Sequence, residues 1–182
     1  MAKHSMKCHP RTPAKKVEDF TVDVERWTGE RIWIRYHVNA PVDSLELGAP
    51  VDPVRADGLW KTTCFEAFVR EPAHEIYLEF NFAPSSAWAA YRFAGYRDGM
   101  EALPMVSEPE LGNDASESHF ALEAIFELPP ELARKDLLLA VTAVIEECDG
   151  TKSYWSLAHP VGAPDFHHPD CFTLHLPARA ET

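Results

Sequence analysis

The chain has 182 residues, 46% hydrophobic and 25% charged, with a formal net charge of −12 and an isoelectric point of about 5.1. That length suits one domain, which on folding buries roughly 70% of the surface its unfolded form exposes, and the apolar content excludes global disorder. The acidic balance excludes non-specific binding to nucleic acid or to an anionic membrane surface, but it leaves room for a small anionic ligand held by one or two buried arginines.

Residues 1–16 carry basic side chains with no apolar run after them, so they do not read as a signal peptide, and a cytoplasmic location is expected. They are read as a loose N-terminal segment, 17–176 as one all-β domain, and 177–182 as a loose tail. Strands are expected at Phe20–Glu25, Arg31–Asn39, Ser44–Leu47, Trp60–Arg70, Ile76–Ala83, Trp88–Gly95, His119–Leu128, Leu137–Glu147, Thr151–Ser156 and Cys171–Leu176. Short aromatic and β-branched runs punctuated by 15 prolines are the pattern of a sandwich or barrel. Ala49–Gly58, Met105–Glu117 and His159–Asp170 are rich in Pro, Gly and acids and read as loops. Pro129–Asp136 and Ser85–Ala90 have the composition of single helical turns. The longest apolar run, Leu137–Ile145, is interrupted by Thr142 and is too short to span a bilayer.

Cys8, Cys64, Cys148 and Cys171 show no paired spacing, so free thiols are expected and a structural zinc site is not. The chain has no GxSxG, HExxH, phosphate-loop or dinucleotide fingerprint.

Side chains in a strand alternate between faces. Thr63, Phe65, Ala67 and Val69 oppose Thr62, Cys64, Glu66 and Phe68, while Leu78, Phe80 and Phe82 oppose Tyr77, Glu79 and Asn81. Ala89, Tyr91 and Phe93 oppose Trp88, Ala90 and Arg92. If the three runs pair as a meander with their mixed faces together, Glu66, Glu79, Asn81, Trp88 and Arg92 share one surface. A mixed face on an antiparallel sheet is ordinarily the solvated one. Here it sets aromatic rings beside carboxylates, an Asn and an Arg, which is what a small-ligand cleft needs.

Near the C-terminus, Ser153–Leu157 contains Trp155 and runs into a loop that holds Asp165, Phe166, His167, His168 and Asp170. Either this is a closing loop pinned by prolines, with Phe166 and Trp155 in the core, or its side chains wall a site. Asp165 and His167 are the nearest to a metal pair, with calcium the most suitable ion, but two ligands do not complete a site.

Three stretches carry a family resemblance. Gly58–Phe68, Tyr77–Ser85 and Trp88–Phe93 resemble the DOMON-like group related to family 9 carbohydrate-binding modules, and Asp165–Phe172 resembles its Asp-Phe-His-x-Pro-Glu-x-Phe ending. The resemblance implies a two-sheet antiparallel β-sandwich with a ligand pocket on one sheet, where relatives hold sugars between aromatic side chains or bind haem. Carried over, Trp60 and Trp155 would stack on the ligand, and Glu66, Asn81 and Arg92 would make the polar contacts.

The expected function is therefore a binding domain for a small sugar-like ligand, with Trp60, Glu66, Asn81, Trp88, Arg92, Trp155, Phe166 and His167 as site residues. A haem-binding electron-transfer domain is the first alternative, with Met100, Met105, His159 and His167 as the available axial ligands. A glycoside-processing enzyme using Glu66 and Glu79 is the second. Exposed edge strands would permit a dimer, and the sequence leaves the oligomeric state open.

Overall fold

Most of the period-two runs become strands in the computed structural model, which describes residues 2–179. In chain order they are β1 (Ala2–Ser5), β2 (Lys7–Cys8), β3 (Asp19–Arg26), β4 (Arg31–Asn39), β5 (Val54–Arg55), β6 (Cys64–Arg70) and β7 (Tyr77–Phe82). They continue with β8 (Ala87–Phe93), β9 (Glu101–Ala102), β10 (Glu110–Ala115), β11 (His119–Glu127), β12 (Leu137–Glu146), β13 (Lys152–Ser156) and β14 (Leu174–Leu176). The only helical pieces among the described residues are 3-10 turns of three residues each, at Val42–Ser44, Leu59–Lys61, Pro130–Leu132 and Pro169–Cys171. No helix among them is long and apolar enough to cross a membrane.

The strands form two sheets, as the sandwich reading requires. The first has the order β1-β3-β4-β11-β10. The second has the order β2-β13-β12-β6-β7-β8-β5, with β14 also on β12 and β9 also on β8. Every pairing is antiparallel except the two-residue contact of β5 with β8. Between the sheets lie Phe20, Tyr36, Phe120, Leu122 and Phe126 from the first, and Phe65, Phe80, Phe82, Val141 and Ile145 from the second. Phe80 and Phe126 meet with ring centroids 4.4 Å apart, and Phe65 stacks on Phe120 at 6.0 Å. The Tyr36 hydroxyl crosses the interface and donates to the Glu66 carbonyl at 2.8 Å, tying β4 to the middle of β6.

The outer face of the second sheet is covered as well. Phe68, Tyr77, Tyr91, Phe93, Ala140 and Val144 on that face form a second apolar cluster with Phe166, Cys171 and Phe172 from the closing segment. This accounts for the near-continuous apolar character of β6, β7 and β8, whose strands are buried on both faces.

Several expectations change. Residues 2–16 are not loose: β1 pairs with β3 and β2 with β13, so the chain crosses from one sheet edge to the other. Met6, between them, is buried in the core, and the Lys15 and Lys16 amides both donate to Glu147 Oε1 at 2.8 Å. Residues 177–179 are also held, with Pro177 accepting from Arg26 and the Ala178 amide donating to Asp136. Met1 and 180–182 of the two expected loose ends lie outside the described residues. Ser44–Leu47 is not a strand but the end of a 3-10 turn followed by a bridge from Leu45 to Glu147. Ser85–Ala90 makes a tight turn and the start of β8 rather than a helical turn. The expected loop Met105–Glu117 contains β10, and Ala49–Gly58 contains β5. Both are exposed edge strands whose polar sequences carry no alternation to read. None of the four cysteines is in a disulfide.

Candidate functional site

A cleft of about 420 Å³ opens on the outer face of the second sheet. Its floor comes from β6, β7 and β12, and its walls from the 3-10 turn at Leu59–Lys61, the segment after β8, β13 and the closing loop. Gly58 adopts φ 76°, a left-handed conformation that a side chain would resist, and this bends the chain into the turn that presents Trp60. Trp60 is 37% exposed and meets Tyr91 edge-on at 6.0 Å. Phe93, Tyr154 and Phe166 complete the aromatic lining.

Two carboxyls lie on the floor, with Glu66 3% and Glu79 5% exposed. Glu66 stands opposite Asn81 and Glu79 opposite Phe68 in the β6–β7 ladder, so the two acids are diagonal neighbours on one face. Thr142 on β12 donates to Glu66 Oε2 at 3.1 Å, and Asn81 Nδ2 donates to Glu79 Oε1 at 2.7 Å. Burial pushes the Glu79 carboxyl up to about 7, against the hydrogen bond from Asn81 and the charge of Arg97. Burial, and then the neighbouring charge of Glu79, pushes Glu66 well above the carboxylate range.

His167 forms part of the wall. Its ring touches Phe68 and Phe93 edge-on at 5.1 Å, and Nδ1 shares a 2.7 Å hydrogen bond with the Tyr77 hydroxyl. Burial, helped by the Arg97 charge and opposed by Asp165, lowers the imidazole to about 4. Its Nε2 is 3.9 Å from Glu79 Oε2. With the imidazole neutral above about pH 4, that contact is not an ion pair in neutral solution. Asp165 accepts from Arg97 Nη2 at 2.7 Å and Nε at 3.2 Å, from the His167 amide at 3.2 Å, and from the Tyr96 hydroxyl.

The structure therefore gathers Trp60, Glu66, Phe166 and His167 around one cleft, with Asn81 fully buried behind Glu79. It does not bring Trp88, Arg92 or Trp155 there. Phe82 pairs with Trp88 and Leu78 with Arg92, which sends both side chains to the opposite face of the sheet. Trp88 is buried in the central core beneath the Arg55 guanidinium, 5.1 Å from its ring. Arg92 borders a separate hollow of about 250 Å³ with Arg70 and His74. Trp155 packs in the core at 5.5 Å from Phe20, its Nε1 donating to Ser153 Oγ at 2.9 Å. Its neighbour Tyr154 pairs with Val144 and faces the cleft instead.

The suggested Asp165–His167 metal pair is otherwise engaged, Asp165 with Arg97 and His167 with Tyr77. Among the described residues no group of three His, Cys, Asp or Glu side chains is placed to hold a metal ion. Of the residues considered as haem ligands, Met100 and His167 border the cleft, whereas His159 Nε2 bonds the Lys7 carbonyl at 2.8 Å. Sequence reasoning missed Tyr91, which backs Trp60, and Phe93, Arg97 and Tyr154, which line the cleft. The first two belonged to the correct alternating set but were assigned to the wrong face, and Arg97 carried no periodic signal.

No family model matches the chain, and no curated protein matches it. Solved structures do. A candidate carbohydrate-binding protein from Bacteroides uniformis superposes with a TM-score of 0.66 at 14% identity, covering 94% of this chain and 84% of that one. A family 9 carbohydrate-binding module from Caldicellulosiruptor kristjanssonii, in complex with glucose, gives 0.53 at 10% identity over 90% of this chain and 78% of that one. A structure of such a module from the same organism with cellotriose gives 0.56 at 11% identity, over 90% and 77%. At these identities the likeness establishes the fold, and the chain is a β-sandwich of the kind found in family 9 carbohydrate-binding modules.

Proposed function

We propose that the cleft binds a small sugar-like ligand, with a ring face against Trp60 and hydroxyl groups on Glu66 and Glu79. The observation that carries this reading is the floor: two buried carboxyls, each bonded through only one oxygen, set inside an aromatic wall. Apolar surface for a ring face and a few fixed polar groups for its hydroxyls are the two requirements of sugar recognition. The fold shared with modules solved in complex with glucose and cellotriose supports the same ligand class. The motifs at Gly58–Phe68 and Asp165–Phe172 support a DOMON-like kinship within that reading.

Calorimetric titration of the whole chain with glucose, cellobiose and cellotriose tests it. Binding in roughly the micromolar to millimolar range is expected for at least one, since a cleft this small gains a few directed bonds and one stacked ring. Absence of heat for all three, with the protein folded by near-ultraviolet circular dichroism, refutes the reading.

A further inference from the structure

Glu66 and Glu79 line the cleft, and each has one carboxyl oxygen that no donor among the described residues serves. Thr142 serves one oxygen of Glu66 and Asn81 one oxygen of Glu79, and both donors are neutral. Among the described residues, Glu66 Oε1 and Glu79 Oε2 receive no hydrogen bond. A buried carboxylate needs a cation beside it or must hold a proton.

The cations at hand are committed elsewhere. Arg97 borders the cleft but is bound to Asp165. His167 is neutral in ordinary buffers. The remaining titratable groups around the pair are neutral too: Tyr36 from the opposite sheet and Cys64 on β6 are both pushed up by burial, and Tyr77 is raised to about 12. Tyr91, on β8, is also raised and donates to Asp57. Meanwhile Trp60, Phe93, Tyr154 and Phe166 surround the opening with ring surface, which attracts cations.

We propose that the ligand of this cleft carries a positively charged amino group, as an amino sugar does, and that Glu66 and Glu79 receive it. The inference rests on the sugar reading above and names the substrate class within it. Burial favours the protonated form of both carboxyls when the cleft holds a neutral sugar; an ammonium group favours the ionised form, so protons leave for solvent and charge-assisted bonds take their place.

Three sugars of one ring type separate the cases: D-glucosamine, D-glucose and N-acetyl-D-glucosamine, whose nitrogen is uncharged. Titrations at pH 7 in buffers of different ionisation enthalpy read both affinity and protons released. Glucosamine is expected to bind about tenfold or more tightly than the other two, with heat that depends on the buffer. Glu79→Gln should narrow that preference by weakening glucosamine binding more than glucose binding, since it removes the charge but keeps a group that can bond a hydroxyl. Equal affinity for glucosamine and glucose overturns the inference and leaves the sugar reading standing. A preference that survives in both Glu66→Gln and Glu79→Gln also overturns it, because the charge is then read elsewhere. Failure of all three sugars to bind overturns both readings.

Discussion

Trp60 is 37% exposed at the cleft lip, whereas Trp88 is 4% exposed between the sheets. Their substitutions should separate binding from folding. Trp60→Ala removes a stacking surface whose ring contact within the protein is the edge-on one with Tyr91, so it should weaken sugar binding about tenfold while costing no more than about 1 kcal/mol of stability. Trp88→Ala empties a core site and should cost about 3–5 kcal/mol. Calorimetry and urea denaturation on the two variants check both halves. Sequence placed both tryptophans in the site, because a Trp beside polar residues looks alike whichever face it occupies. In Ala87–Phe93 all residues but Arg92 are apolar or aromatic, so alternation marks two faces without saying which is which. The β7–β8 turn decides, by pairing Phe82 with Trp88 and Asn81 with Ala89. One residue more or less in that turn would exchange the faces.

At the scale of elements, β7 and the closing loop place two buried titratable groups side by side with opposite effects. Glu79 is raised from 4.5 to about 7, so the folded state holds a proton that the unfolded chain releases. Its contribution to stability is whole below about pH 4.5 and is lost as pH rises through 7. Glu66 acts in the same direction. His167 is lowered from 6.5 to about 4, so the unfolded chain takes up a proton first. Its contribution is whole above about pH 6.5 and is lost as pH falls through 4. Between 4.5 and 6.5 the two trends offset each other. His167→Gln should therefore uncover a fall in stability with rising pH across that window, and Glu79→Gln should reduce it. Each change should amount to roughly 1–3 kcal/mol across the window. Urea denaturation from pH 4 to 8 reads both; parallel profiles for wild type and His167→Gln would contradict the assignment.

Across the whole molecule, Arg26 joins parts far apart in sequence. It is 3% exposed and donates to the carbonyls of Gly29, Leu132, Ala133, Lys135 and Pro177, at 2.6 to 3.0 Å. The β3–β4 hairpin, the turn before β12 and the end of β14 thus share one guanidinium. Gly29 is required there because a Cβ would lie 2.6 Å from the Ala133 carbonyl oxygen. Arg26→Met keeps the volume and abandons five carbonyls. We expect a loss of about 3 kcal/mol or more, whereas Arg92→Met, in a half-buried side chain away from the cleft, should change stability and sugar affinity little. Thermal denaturation and calorimetry distinguish the two. Nothing in the sequence around Arg26 announces this role, since its partners are backbone atoms brought together by the turns.

The sequence by itself determined the class of fold. Period-two alternation, frequent turn residues and the lack of helical periodicity admit a sandwich, and most strand positions follow from them because local pattern and burial agree. It also marked Trp60, Glu66, Asn81, Phe166 and His167, where unusual residue types stand inside or beside strands. What only the tertiary structure decided was phase and closure. A strand covered on both faces carries large apolar or aromatic side chains in both alternating sets, as with Trp88 and Tyr91 in β8 or Tyr154 and Trp155 in β13, so which set faces the cleft depends on cross-strand register rather than local pattern. The second cover, from Phe166 to Phe172, lies far along the chain from the strands it buries. Its packing turns what would be a solvated sheet face into a cleft floor with two carboxyls held out of water.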